Sequence, residues 1–390
     1  DIRLEDVPEP TIEAPTDAIV RVTAAAICGT DLHMIRGTLP GMRPGTILGH
    51  EGVGVVERVG PDVRNLSVGD RVVIPSTIAC GVCAYCRDGY HSQCDRANPN
   101  GKLAGTAFYG GPAESGPFHG LQAEKARIPF ANVGLVKLPD EVTDDQAVLC
   151  SDIFPTGWFA ADLCDLHPGA TVAVLGCGPV GQFTIASLKL QGAGRIFAVD
   201  NVPARLDLAR RQGAEVVNFD QEDPVEAIRR LTDGIGTDRV VDAVGVDACR
   251  ARGGPGAKNV DPARGRQELD EVSNHTLAKG WTLGDAPSQA FDWAVDISAK
   301  AGTVVIVGVY PSVDRFFPIG RAMNKNLDVR MGNCPHRRYL PELIGLIRSG
   351  RIDPTEILTR QAPLTSALEA YHHFDRREPG WLKVELVPVH

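Results

Sequence analysis

The sequence predicts an α/β protein in which a doubly wound parallel sheet is joined to a β-rich lobe. Three observations predict it. The middle of the chain alternates short apolar runs with helical segments, the pattern of parallel strands linked by crossover helices. Roughly the first 150 residues instead carry short Val-, Gly- and Pro-rich runs, the mark of strands joined by turns. A glycine string, Gly176-Cys-Gly178-Pro179-Val180-Gly181, opens the alternating part directly after an apolar run.

In order, Ile19-Val-Arg-Val and Gly54-Val-Val-Glu-Arg-Val read as strands of the β-rich lobe. Ala170-Thr-Val-Ala-Val-Leu175 reads as a buried strand, and a helix is expected after Pro179. Arg195 to Asp200 forms the next strand, and Pro203 to Gln212 the next helix. Further strands are expected at Val216 to Phe219, Arg239 to Ala243, Thr303 to Val307 and Leu327 to Met331. A helix around Pro341 to Ser349 and a last strand in Leu382-Lys-Val-Glu-Leu-Val close the chain. The stretch from about 246 to 290 holds Gly-Gly-Pro-Gly, Asp261-Pro and many charges, and is expected to be an insertion forming a solvated surface excursion. The expected division is a lobe from 1–153 and 333–390 around a second lobe at 154–332.

Composition narrows the function. With 390 residues, 43% of them hydrophobic, the chain can bury more than one core. A net charge of −9 gives no broad basic face for nucleic acid. No run of 18 or more apolar residues is present, so no membrane span is expected. No signal-like segment follows Asp1, and a cytoplasmic location is the expectation. The 10 cysteines sit in a large chain with four clustered, which points to reduced thiols and metal rather than a disulfide scaffold.

Cys80, Cys83, Cys86 and Cys94 form C-x2-C-x2-C-x7-C. Four thiolates close a tetrahedral shell around zinc, leaving no open position, so this site is expected to serve stability. A ferredoxin-like iron–sulfur cluster uses similar gaps and is the alternative. A second constellation is spread over three segments: Cys28 in Cys-Gly-Thr-Asp-Leu-His33, His50 and Glu51 in Gly49-His-Glu-Gly, and Asp152 in Cys150-Ser-Asp-Ile-Phe-Pro-Thr156-Gly. One Cys, one His and one carboxylate meet the ligand count of a catalytic zinc, which keeps a fourth position open. The glycine string permits a tight turn and close approach of a pyrophosphate to a helix N-terminus. Asp200, 19 residues beyond Gly181, suits ribose hydroxyls and favours NAD over NADP.

Taken in order, these blocks resemble the zinc-containing medium-chain alcohol dehydrogenases over nearly the whole chain. Met34-Ile-Arg-Gly37, Ser151-Asp-Ile-Phe-Pro-Thr156-Gly-Trp and the insertion near 246 to 261, including Lys258, are similar to its glutathione-independent formaldehyde dehydrogenase and dismutase branch. The resemblance implies a GroES-like catalytic domain beside a Rossmann domain, with a cleft between them for zinc and nicotinamide. It implies two zincs per chain, and NAD. Cys28, His50 and Asp152 would hold the catalytic zinc, with Cys150 as the alternative third ligand because an extended strand would point it to the same face. Glu51 would be a carboxylate close to the metal. Thr30 and His33 would relay the alcohol proton, the imidazole lying near solvent. Arg205 matches a basic position near the adenosine ribose, which also suits a 2′-phosphate. Ser76, Phe154 and Trp158 would border the substrate, a small alcohol or aldehyde. A homo-oligomer is implied, a tetramer ahead of a dimer. Dismutation with retained NAD is a rival reaction, and a non-enzymatic NAD-binding protein the rival of another class.

Overall fold

The structure, a computed structural model, describes residues 2–259, 261–273 and 277–389. By contacts the chain forms two compact units: Asp1–Ile35, Pro40–Pro155 and Asn333–His390 in one, Arg36–Leu39 and Thr156–Gly332 in the other.

The first unit is built on a largely antiparallel sheet. Its strands are β1 (Ala18–Ile27), β2 (Gly52–Val59), β3 (Arg71–Ile74), β4 (Lys125–Ile128) and β5 (Val136–Lys137). The second unit contributes β6 (Thr171–Leu175), β7 (Arg195–Asp200), β8 (Glu215–Asn218), β9 (Thr237–Asp242), β10 (Ser298–Ile306) and β11 (Asp328–Met331). The chain then returns to the first sheet with β12 (Arg360–Pro363) and β13 (Val384–Val387). The first sheet runs β12-β13-β1-β2-β3-β5, with β4 also paired to β1.

Register in this sheet decides what comes together. β1 ends at Ile27, directly before Cys28, and Ala25 pairs with Gly52, directly after Glu51. On its other side Ile27 pairs with Val384, directly after Lys383. Three segments distant in sequence therefore end at one place. Asp152 is carried there by its own neighbour: the Ser151 carbonyl accepts from Ser76 N at 2.9 Å, and Gly52 N donates to Ser151 Oγ at 3.2 Å.

The second sheet is parallel, in the order β11-β10-β9-β6-β7-β8. Alternate residues of each strand face opposite layers. Val172 and Val174 of β6 pack with Ile185, Leu188, Ile196 and Ala198. Ala173 and Leu175 pack with Phe197, Val199, Ile228 and Phe291. Burial of both faces explains the near-continuous apolar runs of these strands, and each buried Leu, Ile or Phe contributes about 1.5–3 kcal/mol.

Two expectations change. The approach to Asp152 is helical rather than extended. Thr143 caps Asp144–Cys150 through a reciprocal capping box with Gln146, and a second helix runs Ile153–Cys164. Cys150 is therefore not in a strand that would align it with Asp152. The stretch near 246 to 290, of which residues 260 and 274–276 lie outside the described residues, also contains regular structure. A helix runs Pro262–Ser273 and buries Gly265, Glu268 and Val272. The charge of Glu268 concealed this, because its carboxylate is satisfied inside by Ser288 N (3.2 Å), Ser288 Oγ (2.8 Å) and Arg264 Nε (2.6 Å).

Candidate metal and nucleotide sites

The ligand atoms of Cys28, His50, Glu51 and Asp152 all lie within 4.8 Å of one another. Cys28 Sγ is 3.6 Å and His50 Nε2 3.4 Å from Asp152 Oδ2. The surroundings are polar and closed. Asp31 is fully buried, takes Cys28 N at 2.9 Å through Oδ2, and lies 3.2 Å from His50 Nδ1 through Oδ1. Gln122 Nε2 donates to the Ala26 carbonyl at 3.1 Å, and Tyr371 OH donates to Gln122 Oε1 at 2.8 Å. Lys383 Nζ meets Glu51 Oε2 and donates to the Ile27 carbonyl at 2.9 Å.

Electrostatics follow from burial. Burial pushes the Cys28 thiol up, and pushes the Glu51 carboxyl up to about 7 against the pull of Lys383. Burial alone would lower the His50 imidazole, but Asp31 and Cys28 outweigh it and hold it well above its ordinary value. For Asp152, burial would raise the carboxyl, while His336 and His50 overcome that and hold it well below the usual range. Glu51 Oε1 is buried without a hydrogen-bond partner among the described residues. Such an orphan costs about 1–3 kcal/mol. A thiol, an imidazole and two carboxylates, converging with one acceptor unsatisfied, form a donor set that fits zinc.

Thr30 Oγ1 is 3.9 Å from Cys28 Sγ. His33, in the same helix Gly29–Arg36, is 4% exposed and so is buried rather than near solvent. Ser76 and Phe154 are buried near Ser151 and Asp152 in the chain fold, and Trp158 is buried one turn beyond Phe154. Cys150 lies outside the donor set. Burial alone pushes its thiol up to about 12.

Cys80, Cys83, Cys86 and Cys94 also place their sulfurs within 4.8 Å of one another. Cys83 and Cys94 sulfurs are 3.9 Å apart, while Cys80 N donates to Cys94 Sγ at 3.2 Å. Burial would raise the Cys83 thiol, but backbone and thiol donors around it bring it down to about 7. Four sulfurs on one short loop fit a tetrahedral thiolate site.

At the glycine string, Gly176 has φ +87° and Gly178 caps the helix Pro179–Leu190, whose first turn holds Val180. A Cβ on Gly181 would stand 1.9 Å from the Gly176 carbonyl oxygen, so the turn closes only with glycine there. Asp200 ends β7 and is 6% exposed. Its carboxylate accepts from Cys177 N at 2.7 Å and from Asn201 N and Val202 N at 2.8 Å each. The Arg205 guanidinium reaches the same loop, Nη1 standing 3.8 Å from where a Gly178 Cβ would be.

Sequence reasoning did not single out Asp31, His336 or Lys383. Asp31 lay inside a quoted motif. The cue for Lys383 was a lysine within the Leu382-Lys-Val-Glu-Leu-Val strand run. Nothing local marked His336.

A sheet-wound nucleotide fold carrying a Cys/His/carboxylate donor set and a four-thiol site defines a zinc-type dehydrogenase. Residues 14–140 match the alcohol dehydrogenase GroES-like domain, and residues 179–252 match the zinc-binding dehydrogenase family. An uncharacterized zinc-type alcohol dehydrogenase-like protein of Bacillus subtilis is 38% identical over 389 residues, covering 99% of this chain and 97% of its own. A glutathione-independent formaldehyde dehydrogenase of Pseudomonas aeruginosa is 32% identical, with 97% and 93% covered. The alcohol dehydrogenase of Thermus sp. ATN1 superposes with a TM-score of 0.79 at 34% identity, with 99% and 96% covered. The chain belongs to the zinc-type alcohol dehydrogenase family, with a GroES-like domain and a Rossmann sheet.

Proposed function

We propose that this protein interconverts a small alcohol and its aldehyde or ketone, with NAD as hydride acceptor and donor. The observation that carries the reading is the convergence of Cys28, His50, Glu51 and Asp152 from separate segments of one unit. Cys28, His50 and Asp152 would hold the catalytic zinc, and Cys80, Cys83, Cys86 and Cys94 the structural one. When bound, the catalytic zinc supplies a Lewis acid that lowers the pKa of an alcohol hydroxyl.

The chain's own groups supply the rest. Thr30 Oγ1 both accepts and donates, so it can take the substrate proton and pass it on, with His33 as the imidazole acceptor further along the helix. Glu51 stays beside the ligands with Lys383 compensating its charge. Gly176, Gly178, Pro179, Val180 and Gly181 let a pyrophosphate approach the helix N-terminus. A carboxylate offers about four lone-pair sites; backbone donors take three at Asp200, leaving one for a ribose hydroxyl. Arg205 beside Gly178 supplies positive charge there. We read 1–153 with 333–390 as the catalytic domain and 154–332 as the NAD-binding domain. Assembly as a homo-oligomer, a tetramer ahead of a dimer, and a cytoplasmic location complete the reading.

A second reading is formaldehyde dehydrogenation or dismutation with retained NAD. It is favoured by the likeness to the Pseudomonas aeruginosa formaldehyde dehydrogenase and by the way the insertion is anchored. Buried Arg36 pairs with Asp247, and its carbonyl accepts from Ala278 N at 2.8 Å.

The test is a screen of primary, secondary and hydrated-aldehyde substrates with NAD and NADP, beside an assay of nicotinamide released on denaturing the purified protein. NAD-linked turnover of added alcohol supports the first reading. Stoichiometric released nicotinamide with dismutation supports the second, and no turnover with any substrate contradicts both.

A further inference from the structure

Asp152 is held by a residue that the reading above leaves without a role. His336 Nε2 lies 2.7 Å from Asp152 Oδ1, and both side chains are buried. A carboxylate oxygen accepts, so Nε2 carries the proton and donates. At the opposite side of the ring, Nδ1 stands 3.2 Å from Thr77 Oγ1, whose hydroxyl can donate to it. Thr77 is itself fixed by a backbone bridge to Phe108. The imidazole opens the helix His336–Arg348, so backbone and both ring nitrogens define its place.

The two oxygens of Asp152 are thereby divided. Oδ1 goes to His336, while Oδ2 faces Cys28 Sγ at 3.6 Å and His50 Nε2 at 3.4 Å. A carboxylate can serve two partners at once, and a thiolate at this position would offer one atom. With a cysteine there, the buried Nε2–H would lose its acceptor, which costs about 1–3 kcal/mol.

We propose that His336, oriented by Thr77, is a positioning residue for the catalytic zinc site: it binds Asp152 Oδ1, presents Oδ2 to the metal, and makes aspartate the fitting third ligand. The inference rests on the assignment of Asp152 as a ligand. Hydrogen-bonded partners behind a metal ligand commonly change metal affinity by about 10–100-fold when removed.

The experiment compares the zinc-loaded parent with His336→Leu and His336→Gln, following zinc loss to a chelator and the visible spectrum after Co²⁺ replacement at this site. Retention of the four-thiol zinc in every variant reports that the unit is folded. His336→Leu is expected to lose the catalytic zinc about ten- to hundredfold faster and to shift the Co²⁺ bands. His336→Gln keeps a donor and is expected to fall between Leu and parent. Asp152→Cys is expected to cost less retention in the His336→Leu background than in the parent, since coupled sites are non-additive. Unchanged retention and spectrum in His336→Leu, equal losses in Leu and Gln, or strict additivity with Asp152→Cys would each overturn the proposal alone. A parent holding only the four-thiol zinc would overturn the assignment of Asp152 and the proposal with it.

Discussion

Lys383 and Glu51 are 332 residues apart in the chain, yet both are fully buried and their charged groups meet. Sheet register makes the contact, because β13 and β2 both pair with β1 next to Cys28. Removing the ammonium leaves a buried carboxylate beside Asp152. Lys383→Met should therefore destabilise the protein by about 3–5 kcal/mol, the range for breaking a buried ion pair. The double variant Lys383→Met/Glu51→Gln should recover most of that loss. Denaturant unfolding of parent, single and double variants checks this; equal losses in the single and double variants would contradict it.

Glu385, on β13, gives a pH dependence. Burial, with Asp145 nearby, pushes its carboxyl from 4.5 up to about 7. The folded protein then keeps a proton that the unfolded chain releases. This contribution to stability is fully present below about pH 4.5 and is lost as pH rises through about 7. Glu385→Gln removes the ionisation while the bond from Gln361, 3.5 Å long, has an amide to replace the carboxylate. The variant should be more stable than the parent by about 3 kcal/mol near pH 8, the difference vanishing near pH 4.5. A pH-independent difference in Tm would contradict it.

Gly181→Ala tests the nucleotide loop. The new Cβ would meet the Gly176 carbonyl, a backbone atom that cannot move aside without opening the turn. We expect the KM for NAD to rise by about tenfold or more, equivalent to about 1.4 kcal/mol, with zinc content unchanged. A KM within twofold of the parent would contradict the loop's role.

Cys86→Ser tests the four-thiol site. Loss of one thiolate should release one zinc, and because metal affinity at such a site is folding free energy, Tm should fall by about 10 °C. Metal analysis with thermal melting reads both. Retention of all zinc at an unchanged Tm would argue against a structural metal there.

The four-thiol loop was legible because its residues are neighbours in sequence and thiols at such gaps have few other uses. The sheet of the second unit was legible because strands buried on both faces read as near-continuous apolar runs, as Val172 to Leu175 does. Cys28, His50 and Asp152 were legible as a set through family resemblance, since no local pattern says that they meet. His336 and Lys383 were not legible: their partners lie 184 and 332 residues away, with sheet register bringing Lys383 to Glu51 and His336 reaching Asp152 from the start of its own helix. The helix Pro262–Ser273 was hidden because Glu268, read as solvated, is paired inside. The helical approach to Asp152 was missed because a short apolar run before a Pro reads equally as strand, although the Thr143 and Gln146 capping box was there to be seen.

Cys28, His50 and Asp152, as proposed, hold a second, catalytic zinc. Zinc released on denaturation, counted per chain in the parent and in Asp152→Ala, tests it most directly. We expect two zincs in the parent and one in the variant, with alcohol oxidation lost and the four-thiol zinc kept. One zinc in the parent, or two in Asp152→Ala, would contradict it.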